Sequence, residues 1–596
     1  MAVATADRAV LGVERSLTGK RWRARLDDDR AAAVLAQRLD LPEIVARVLA
    51  ARGVSADDAE AFLNPTLRAL LPDPSHLIDM DAAVARIVRA LTTGETIGVL
   101  GDYDVDGATS AALLVRFLGA LGRTVPVCIP DRMTDGYGPN ARALAELTAA
   151  GATLVITVDC GTTAFGPLEG AVAAGLDVVV VDHHVAEPRL PRGCLVVNPN
   201  RADETSPHGQ LAAVGVTFLL VVAVNRALRR SFWYGEGHAE PGLMGWLDLV
   251  ALGTVCDVVP LTGVNRALVA QGLRVMAERA NPGIAALADA ARIDRRLDAW
   301  HAGFALGPRV NAGGRVGEAG LGVRLLATDD ADEARALAAR LDGYNRERQD
   351  IERAVLDAAL DQAERQAADG ARLILAAGEG WHAGVIGIVA GRLRERFDRP
   401  ACVVALEGGV GRGSGRSVRG VALGPAVIAA RQAGLVENGG GHAMAAGFTV
   451  AAARLAALHD FLGQEVDRQL GGTPPVPSLG LDGALDVAAA TPDLLESLER
   501  LGPFGAGNAR PRFAVASARI VNARIVGADH VSCILTGADG GGRLKAIAFR
   551  AVGSPLGRAL LATAGSSLHF AGQLRLDAWQ GRCQAQLVID DAAPAR

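Results

Sequence analysis

Lysine is almost missing from this chain. Only Lys20 and Lys545 occur, so nearly all of the 61 basic residues are arginine, the side chain that grips phosphate with two parallel N–H groups and stacks on bases. A GC-rich coding sequence accounts for that excess equally well. The formal net charge of −5 gives no global sign of nucleic-acid binding, although an acidic metal pocket can hide a basic groove in the total. CxxC pairs are absent too: Cys128, Cys160, Cys194, Cys256, Cys402, Cys533 and Cys583 are scattered, which suggests neither a zinc knuckle nor a disulfide framework. No apolar h-region follows Met1, so no secretory signal is expected. The longest apolar stretch, Leu211 to Val224, contains Gly215 and is too short for a membrane span; it reads as a buried core helix. These absences predict a soluble protein of a reducing, cytoplasmic compartment with no membrane contact.

What is present is globular. Half of the 596 residues are hydrophobic and 21% are charged, and the length predicts three or four domains. Residues 1–90 read as a peripheral helical region, with apolar periodicity from Leu41 to Arg52 and a proline-punctuated link from Pro65 to Pro74. From about 92 to 200, apolar runs alternate with alanine-rich helical segments: Ile97–Leu100, Val125–Ile129, Leu154–Val158, Val178–Val181 and Leu195–Val197. That alternation predicts a doubly wound, mostly parallel sheet whose strands present ligands at their carboxyl ends.

Three of those ends carry metal-competent side chains. The first run leads into Gly101-Asp102-Tyr103-Asp104-Val105-Asp106-Gly107, the third into Asp159-Cys160-Gly161, and the fourth into Asp182-His183-His184. A fourth contribution is expected from Asp257, a lone acid interrupting the apolar segment Leu252 to Pro260, since a buried carboxylate needs a partner. Clustered acids repel unless a cation sits among them; oxygen ligands suit Mg²⁺ or Mn²⁺, and histidine tilts the choice toward manganese or another first-row metal. Adjacent side chains in an extended segment point to opposite faces. His183 is therefore the expected ligand, and His184 a supporting or phosphate-contacting group.

Together these pieces resemble the four motifs of the DHH phosphoesterases. The wording of the first, with Pro130-Asp131-Arg132-Met133-Thr134-Asp135-Gly136-Tyr137-Gly138, is similar to the RecJ branch, single-strand-specific 5′→3′ DNA exonucleases, rather than to the family's small pyrophosphatases. Small members keep a histidine four residues before the first shared aspartate. Leu100 stands there in this chain, and Asp102 is the candidate to take its place.

Farther along, Gly307-Pro308-Arg309-Val310-Asn311-Ala312-Gly313-Gly314-Arg315 reads as a glycine-bearing, phosphate-binding loop at the rim of a catalytic domain spanning 91–328. Between Asp329 and Ala368 there is one glycine and no proline, which predicts connecting helices between two lobes over 329–370. A second α/β unit, 371–470, carries three glycine-dense turns with His382, with Arg416 and Ser417, and with Gly441 and His442. The turns resemble the DHH-associated domain, which in this family faces the metal site across a cleft and binds the substrate backbone. Pro474, Pro475 and Pro477 mark a linker, and 476–596 reads as a small antiparallel OB-type β-barrel, its stretch 501–513 similar to the RecJ approach to that domain. Aromatics are scarce there, with Phe549, Phe570 and Trp579 as candidates for stacking.

The fold class expected is therefore α/β: a DHH-type parallel-sheet catalytic domain, a long connecting helix, a second α/β DHH-associated domain and an OB-type barrel. The resemblance implies hydrolysis of single-stranded DNA from the 5′ end to 5′-mononucleotides, in recombination and repair, with two Mg²⁺ or Mn²⁺ ions about 4 Å apart. It assigns Asp104, Asp106, Asp159, His183 and Asp257 as metal ligands, with Asp102 added, Asp159 bridging, and His184 in the catalytic set. Arg132, Tyr137, Arg309, Asn311, Arg315, His382, Arg416, Ser417, Gly441 and His442 would contact substrate. A monomer is expected, with a helicase and a single-strand-binding protein as candidate partners. Rivals are a DHH enzyme for short oligoribonucleotides or cyclic dinucleotides, a pyrophosphatase, and an inactive replication scaffold. The extra barrel argues against the first two and the intact motifs against the third.

Overall fold

The computed structural model describes residues 9–131, 136, 138–235, 237–471, 477–562, 567–579 and 582–595, with the backbone alone at 578–579 and 582–583. Strand β1 (Arg21–Ala24) is followed by the helices Asp29–Leu39 and Glu43–Ala51. This segment is not peripheral. Leu35, Val45 and Leu49 pack in one core with Phe513, Leu535 and Phe570 from the far end of the chain, and the fully buried Trp22 donates its indole N–H to Asp591 at 2.9 Å.

The catalytic sheet comprises β2 (Thr96–Gly101), β3 (Val127–Cys128), β4 (Ala152–Val158), β5 (Asp177–Val181) and β6 (Leu195–Val197), in the order β3-β2-β4-β5-β6 with every pair parallel. Both faces are covered, by the helices Met80–Thr93, Val105–Ala120 and Ala213–Arg230 on one side and by Ala141–Ala149 and Phe165–Ala173 on the other. Burial on both faces explains why these strands read as continuous apolar runs. Connections from β2 and β4 leave toward opposite edges, so a crevice opens between their carboxyl ends. The apolar stretch from Leu211 forms the buried Ala213–Arg230 helix, and among the described residues no helix is long and apolar enough to cross a membrane.

One uninterrupted helix, Ala331–Ala368, then runs 38 residues, about 57 Å at the usual rise. Asp330 caps its first turn by accepting from the amides of Asp332 and Glu333. Its first half adds Leu337 and Leu341 to the catalytic core, and its second half adds Val355 and Ala359 to the core of the next lobe. That lobe holds β7 (Ile374–Glu379), β8 (Ala401–Glu407), β9 (Val410–Arg416), β10 (Asn438–His442) and β11 (Ala445–Ala451) in the order β10-β11-β9-β8-β7. Only β7–β8 is parallel.

After the linker, β12 (Ser478–Leu481) pairs with β1, and β13 (Gly483–Leu485) joins a barrel of β14 (Phe513–Val526), β15 (His530–Thr536), β16 (Leu544–Ala548), β17 (Ser567–Trp579) and β18 (Arg582–Pro594). Pairing of β14 with β17 closes it. The barrel is not wholly antiparallel: β16 and β18 run parallel, because the Pro555–Ala562 helix and β17 intervene between them. The barrel's leading loop docks on the catalytic domain just past Asp257, where Leu261 N–H donates to the Ala506 carbonyl at 2.8 Å. Arg266, 1% exposed, secures the junction with bonds to the carbonyls of Phe62, Leu501 and Gly502.

Candidate metal centre

Each acid-bearing strand end is locked by its neighbour. The amides of Asp102, Asp159 and Asp182 donate to the carbonyls of Val158, Val181 and Val197, the last residues of the adjacent strands. Register alone therefore aligns the three ends. Gly107 lets the next helix start hard against the first of them: a Cβ there would lie 2.4 Å from the Asp102 carbonyl oxygen.

Asp104 caps the Val105–Ala120 helix through one oxygen, which accepts from Asp106 N–H at 2.9 Å and Gly107 N–H at 3.1 Å. Asp106 faces the start of the Ala213–Arg230 helix, whose Ala213 and Val214 amides donate to its two oxygens at 2.7 and 2.9 Å. Asp159 sits in the left-handed region at φ 61°, a backbone cost of order 1–3 kcal/mol that clusters at functional sites. Asp257 ends the Leu247–Cys256 helix.

These side chains meet around His183. Its Nδ1–H donates to the Leu211 carbonyl at 3.1 Å, which leaves Nε2 as a bare lone pair if the ring is neutral. The ring is neutral at pH 7: burial, helped by the neighbouring His184, lowers it to about 4. Yet Nε2 points at Asp159 Oδ1 (3.3 Å), Asp257 Oδ2 (3.6 Å) and Asp106 Oδ2 (3.9 Å). A lone pair facing three carboxylate oxygens is repulsive unless a cation or a proton lies between them. Both His183 Nε2 and Asp257 Oδ2 are buried and take no hydrogen bond. Three overlapping clusters result: Asp106, His183 and Asp257; Asp159, His183 and His184; and Asp102, Asp104 and Asp159. Asp159 belongs to two of them. This donor set of carboxylates with the His183 imidazole, and His184 beside it, fits divalent cations of the Mg²⁺ or Mn²⁺ kind.

Proton affinities tell the same story. Burial, then Asp257 and Asp104, push Asp106 well up, and burial with Asp104 and Asp106 does the same to Asp159. Burial and Asp104 raise Asp257 to about 7. Asp182 behaves oppositely: burial works against its charge, but the His184 ring and nearby amides hold its carboxyl well below the usual range. It accepts from the amides of Thr162, His183 and His184, and from His184 Nδ1 at 2.8 Å. His184 is accordingly raised to about 9, against burial, mainly by Asp182, so a cation stands at the rim. The sequence had shown Asp182 without its orienting role, and had not singled out Asn198 and Asn200, whose amides hold the His184 and His183 carbonyls at 2.9 and 2.6 Å. Their signal was the one that found the acids, polar residues directly after an apolar run.

Gly307 to Val316 is an α-helix, not a loop. Pro308 falls in its first turn, where the missing N–H costs nothing, and its glycines serve close packing: a Cβ on Gly314 would lie 2.9 Å from Tyr103 Cβ. The helix thereby buttresses the Asp102–Asp104 turn. Arg309 donates to Asp342 at 3.0 Å and to the Ala305 carbonyl at 2.7 Å, and Asn311 is half-buried. Arg315 reaches across to the Gly384 carbonyl of the second lobe at 3.0 Å. There, His382 Nδ1 accepts from Gly384 N–H, and Arg416 donates to the Gly415 carbonyl and lies against Gly387 at the start of the Ile386–Phe397 helix. Gly441 and His442 are exposed at the end of β10. Ser417 is buried, its hydroxyl donating to the Val421 carbonyl at 2.7 Å. Arg132 and Tyr137 lie outside the described residues.

The two lobes are those of the DHH-type phosphoesterases: residues 96–254 match the DHH family N-terminal domain and 370–468 the DHHA1 domain. Residues 481–591 match the RecJ OB domain. The single-stranded-DNA-specific exonuclease RecJ of Escherichia coli is 36% identical over 93% of this chain and 96% of its own length, and that of Dickeya dadantii is 39% identical over 85% and 89%. The crystal structure of Thermus thermophilus RecJ in complex with Mn²⁺ superposes with a TM-score of 0.79 at 32% identity, covering 96% of this chain and 79% of that one; its Mg²⁺ complex gives 0.75 at 30% identity, covering 96% and 78%. The chain belongs to the RecJ family.

Proposed function

We propose that this chain is a metal-dependent exonuclease that hydrolyses single-stranded DNA from its 5′ end and releases 5′-mononucleotides, in recombination and repair. The observation that carries it is the convergence at His183, whose buried Nε2 faces Asp159, Asp257 and Asp106 at 3.3, 3.6 and 3.9 Å. Relatives crystallised with Mn²⁺ and, separately, with Mg²⁺ support either metal here, in two seats. Asp106, His183 and Asp257 would hold one and Asp102 and Asp104 the other; Asp159 and His183 each fall in two clusters, and of the two it is the carboxylate of Asp159, with two acceptor oxygens, that can serve both ions. When bound, the ions supply Lewis acidity toward the scissile phosphate and ready ionisation of a water.

The chain's own residues do the rest. Asp182 orients and charges His184, which at about 9 stays protonated at neutral pH and would meet a phosphate oxygen with its half-exposed ring. Arg416, His382, Gly441 and His442 would hold the terminal phosphate, with Ser417 positioning that turn from below. Arg309, Asn311 and Arg315 support the site from the catalytic lobe, Arg315 by tying the lobes together. Arg132 and Tyr137 are proposed strand contacts. Functional units divide in sequence as 1–90, 91–328, 329–370, 371–470 and 476–596, with the helix Met80–Thr93 packed into the catalytic core and Leu35, Val45 and Leu49 into that of the barrel. The enzyme acts as a cytoplasmic monomer on strands opened by a helicase and covered by a single-strand-binding protein.

The test is digestion of labelled single-stranded DNA, duplex and short RNA with Mn²⁺ and with chelator. Metal-dependent release of mononucleotides from single-stranded DNA alone is expected; equal degradation of short RNA would favour an oligoribonuclease.

A further inference from the structure

Residues 292–304 take no part in the centre described above, yet they pack against the helical turn that presents Asp257. Arg292, Arg295 and Arg296 are exposed there, and they border, with Arg279, a groove of about 750 Å³ whose acids are Asp289 and Asp294. Arg279 is tied to Asp289, so the remaining charge is positive. Just beyond stand Trp300 and Phe304, 57% and 71% exposed, with rings stacked at 5.8 Å and 24°. Two large rings left in water beside each other mark a surface that binds something.

Their display is built, not loose. Asp298 caps the turn carrying Trp300, and the buried His301 accepts from Arg295 Nε at 3.1 Å. Ala302–Leu306 is a π-helix, a form concentrated at functional sites. Cys256 Sγ donates to the Ala302 carbonyl at 3.5 Å, and Gly303 packs on Val255. The aromatic pair is thus fixed to the helical turn that presents Asp257. On the barrel, Arg575 of β17 lies 5.1 Å over the Phe549 ring.

We propose that residues 292–304 form a track that leads the single strand to the metal centre, with the arginines on its phosphates and the outer faces of the Trp300–Phe304 stack on its bases. The proposal rests on the nuclease reading above for its ligand. Every base offers a π face, so the platform is indifferent to sequence. Bases already stacked inside a duplex cannot use it, so it also favours single strands.

The test is fluorescence anisotropy of a labelled strand of about 40 nucleotides on the chelated full-length protein, comparing wild type with Trp300→Ala/Phe304→Ala. A loss of affinity of about tenfold or more is expected, with recovery in Trp300→Phe/Phe304→Tyr. Arg295→Glu/Arg296→Glu should flatten the salt dependence of binding. Unchanged affinity in the double alanine variant overturns the track and leaves the rings as a protein-docking patch; so does failure of the aromatic replacements to restore binding. A wild-type protein that binds the strand but never cuts it contradicts the proposed activity instead, and leaves the track standing.

Discussion

Stripped of metal, the centre should be more stable near pH 6.5 than near pH 9, and Mg²⁺ should reverse that order. Asp257 is raised to about 7 from 3.8 by burial and Asp104. Its folded value exceeds its unfolded one, so the penalty of the ionised carboxylate is fully felt above pH 7 and fades as pH falls toward 3.8. His184, raised to about 9 by Asp182 against burial, contributes stability that is whole below 6.5 and lost as pH rises through 9. His183 opposes them. Held down to about 4 by burial and His184, it costs stability once pH drops below 6.5. Stability of the chelated protein should therefore climb from pH 9 to 6.5; below that Asp257 and His183 oppose each other, while Asp106 and Asp159, also raised, favour the lower pH. Three units at Asp257 set a ceiling of about 4 kcal/mol that is approached only near pH 4; about 1 kcal/mol of it falls between pH 9 and 6.5. His184, with 42% of its side chain exposed, adds about 1 kcal/mol after solvent screening. A divalent ion needs the ionised carboxylates and the neutral imidazole, so its affinity rises with pH through 7. The assay is the thermal midpoint at both pH values, in chelator and in excess Mg²⁺. A chelated protein that is more stable at pH 9, or equal stabilisation by Mg²⁺ at both values, would refute the reasoning.

Three further perturbations test the supports. Asp182→Asn removes the charge behind His184; the His184 midpoint in the chelated protein, followed by NMR, should fall below 7, and metal affinity should drop about 10- to 100-fold. Gly314→Val drives a side chain into Tyr103 and should cost about 1–3 kcal/mol of stability together with weaker metal binding by calorimetry, whereas Gly343→Ala, in open space on the long helix, should cost nothing. Removing the barrel at about residue 475 should expose the Leu35, Val45 and Leu49 faces and aggregate the protein, while removing 1–64 as well should leave a catalytic piece that cleaves short oligonucleotides but binds long DNA poorly, measured by KM on each.

The centre was legible because its physics is local. An apolar run that ends in acid or histidine announces a buried strand with polar cargo, and the same rule places Asp102, Asp159, Asp182 and His183 at one sheet edge. The 38-residue helix was legible for want of breakers. The Gly307–Val316 helix was not, because glycine and proline signal a turn when their neighbours are unknown, and here the deciding neighbour is Tyr103, two hundred residues earlier. The N-terminal helices showed an apolar face but not its partner, since the barrel that covers it lies more than four hundred residues away. Parallel pairing of β16 with β18 was hidden for a like reason: alternation records which face is buried, not which strand lies alongside.

The central claim is that Asp159 joins two metal seats. Calorimetric titration of Mn²⁺ into the chelated wild type and into Asp159→Ala tests it most directly. Two ions should bind the wild type, and at most one the variant, whose hydrolysis of single-stranded DNA should fall below a tenth while its far-ultraviolet dichroism is unchanged. A variant that still takes up two ions, or that keeps even a tenth of wild-type activity, would contradict the account.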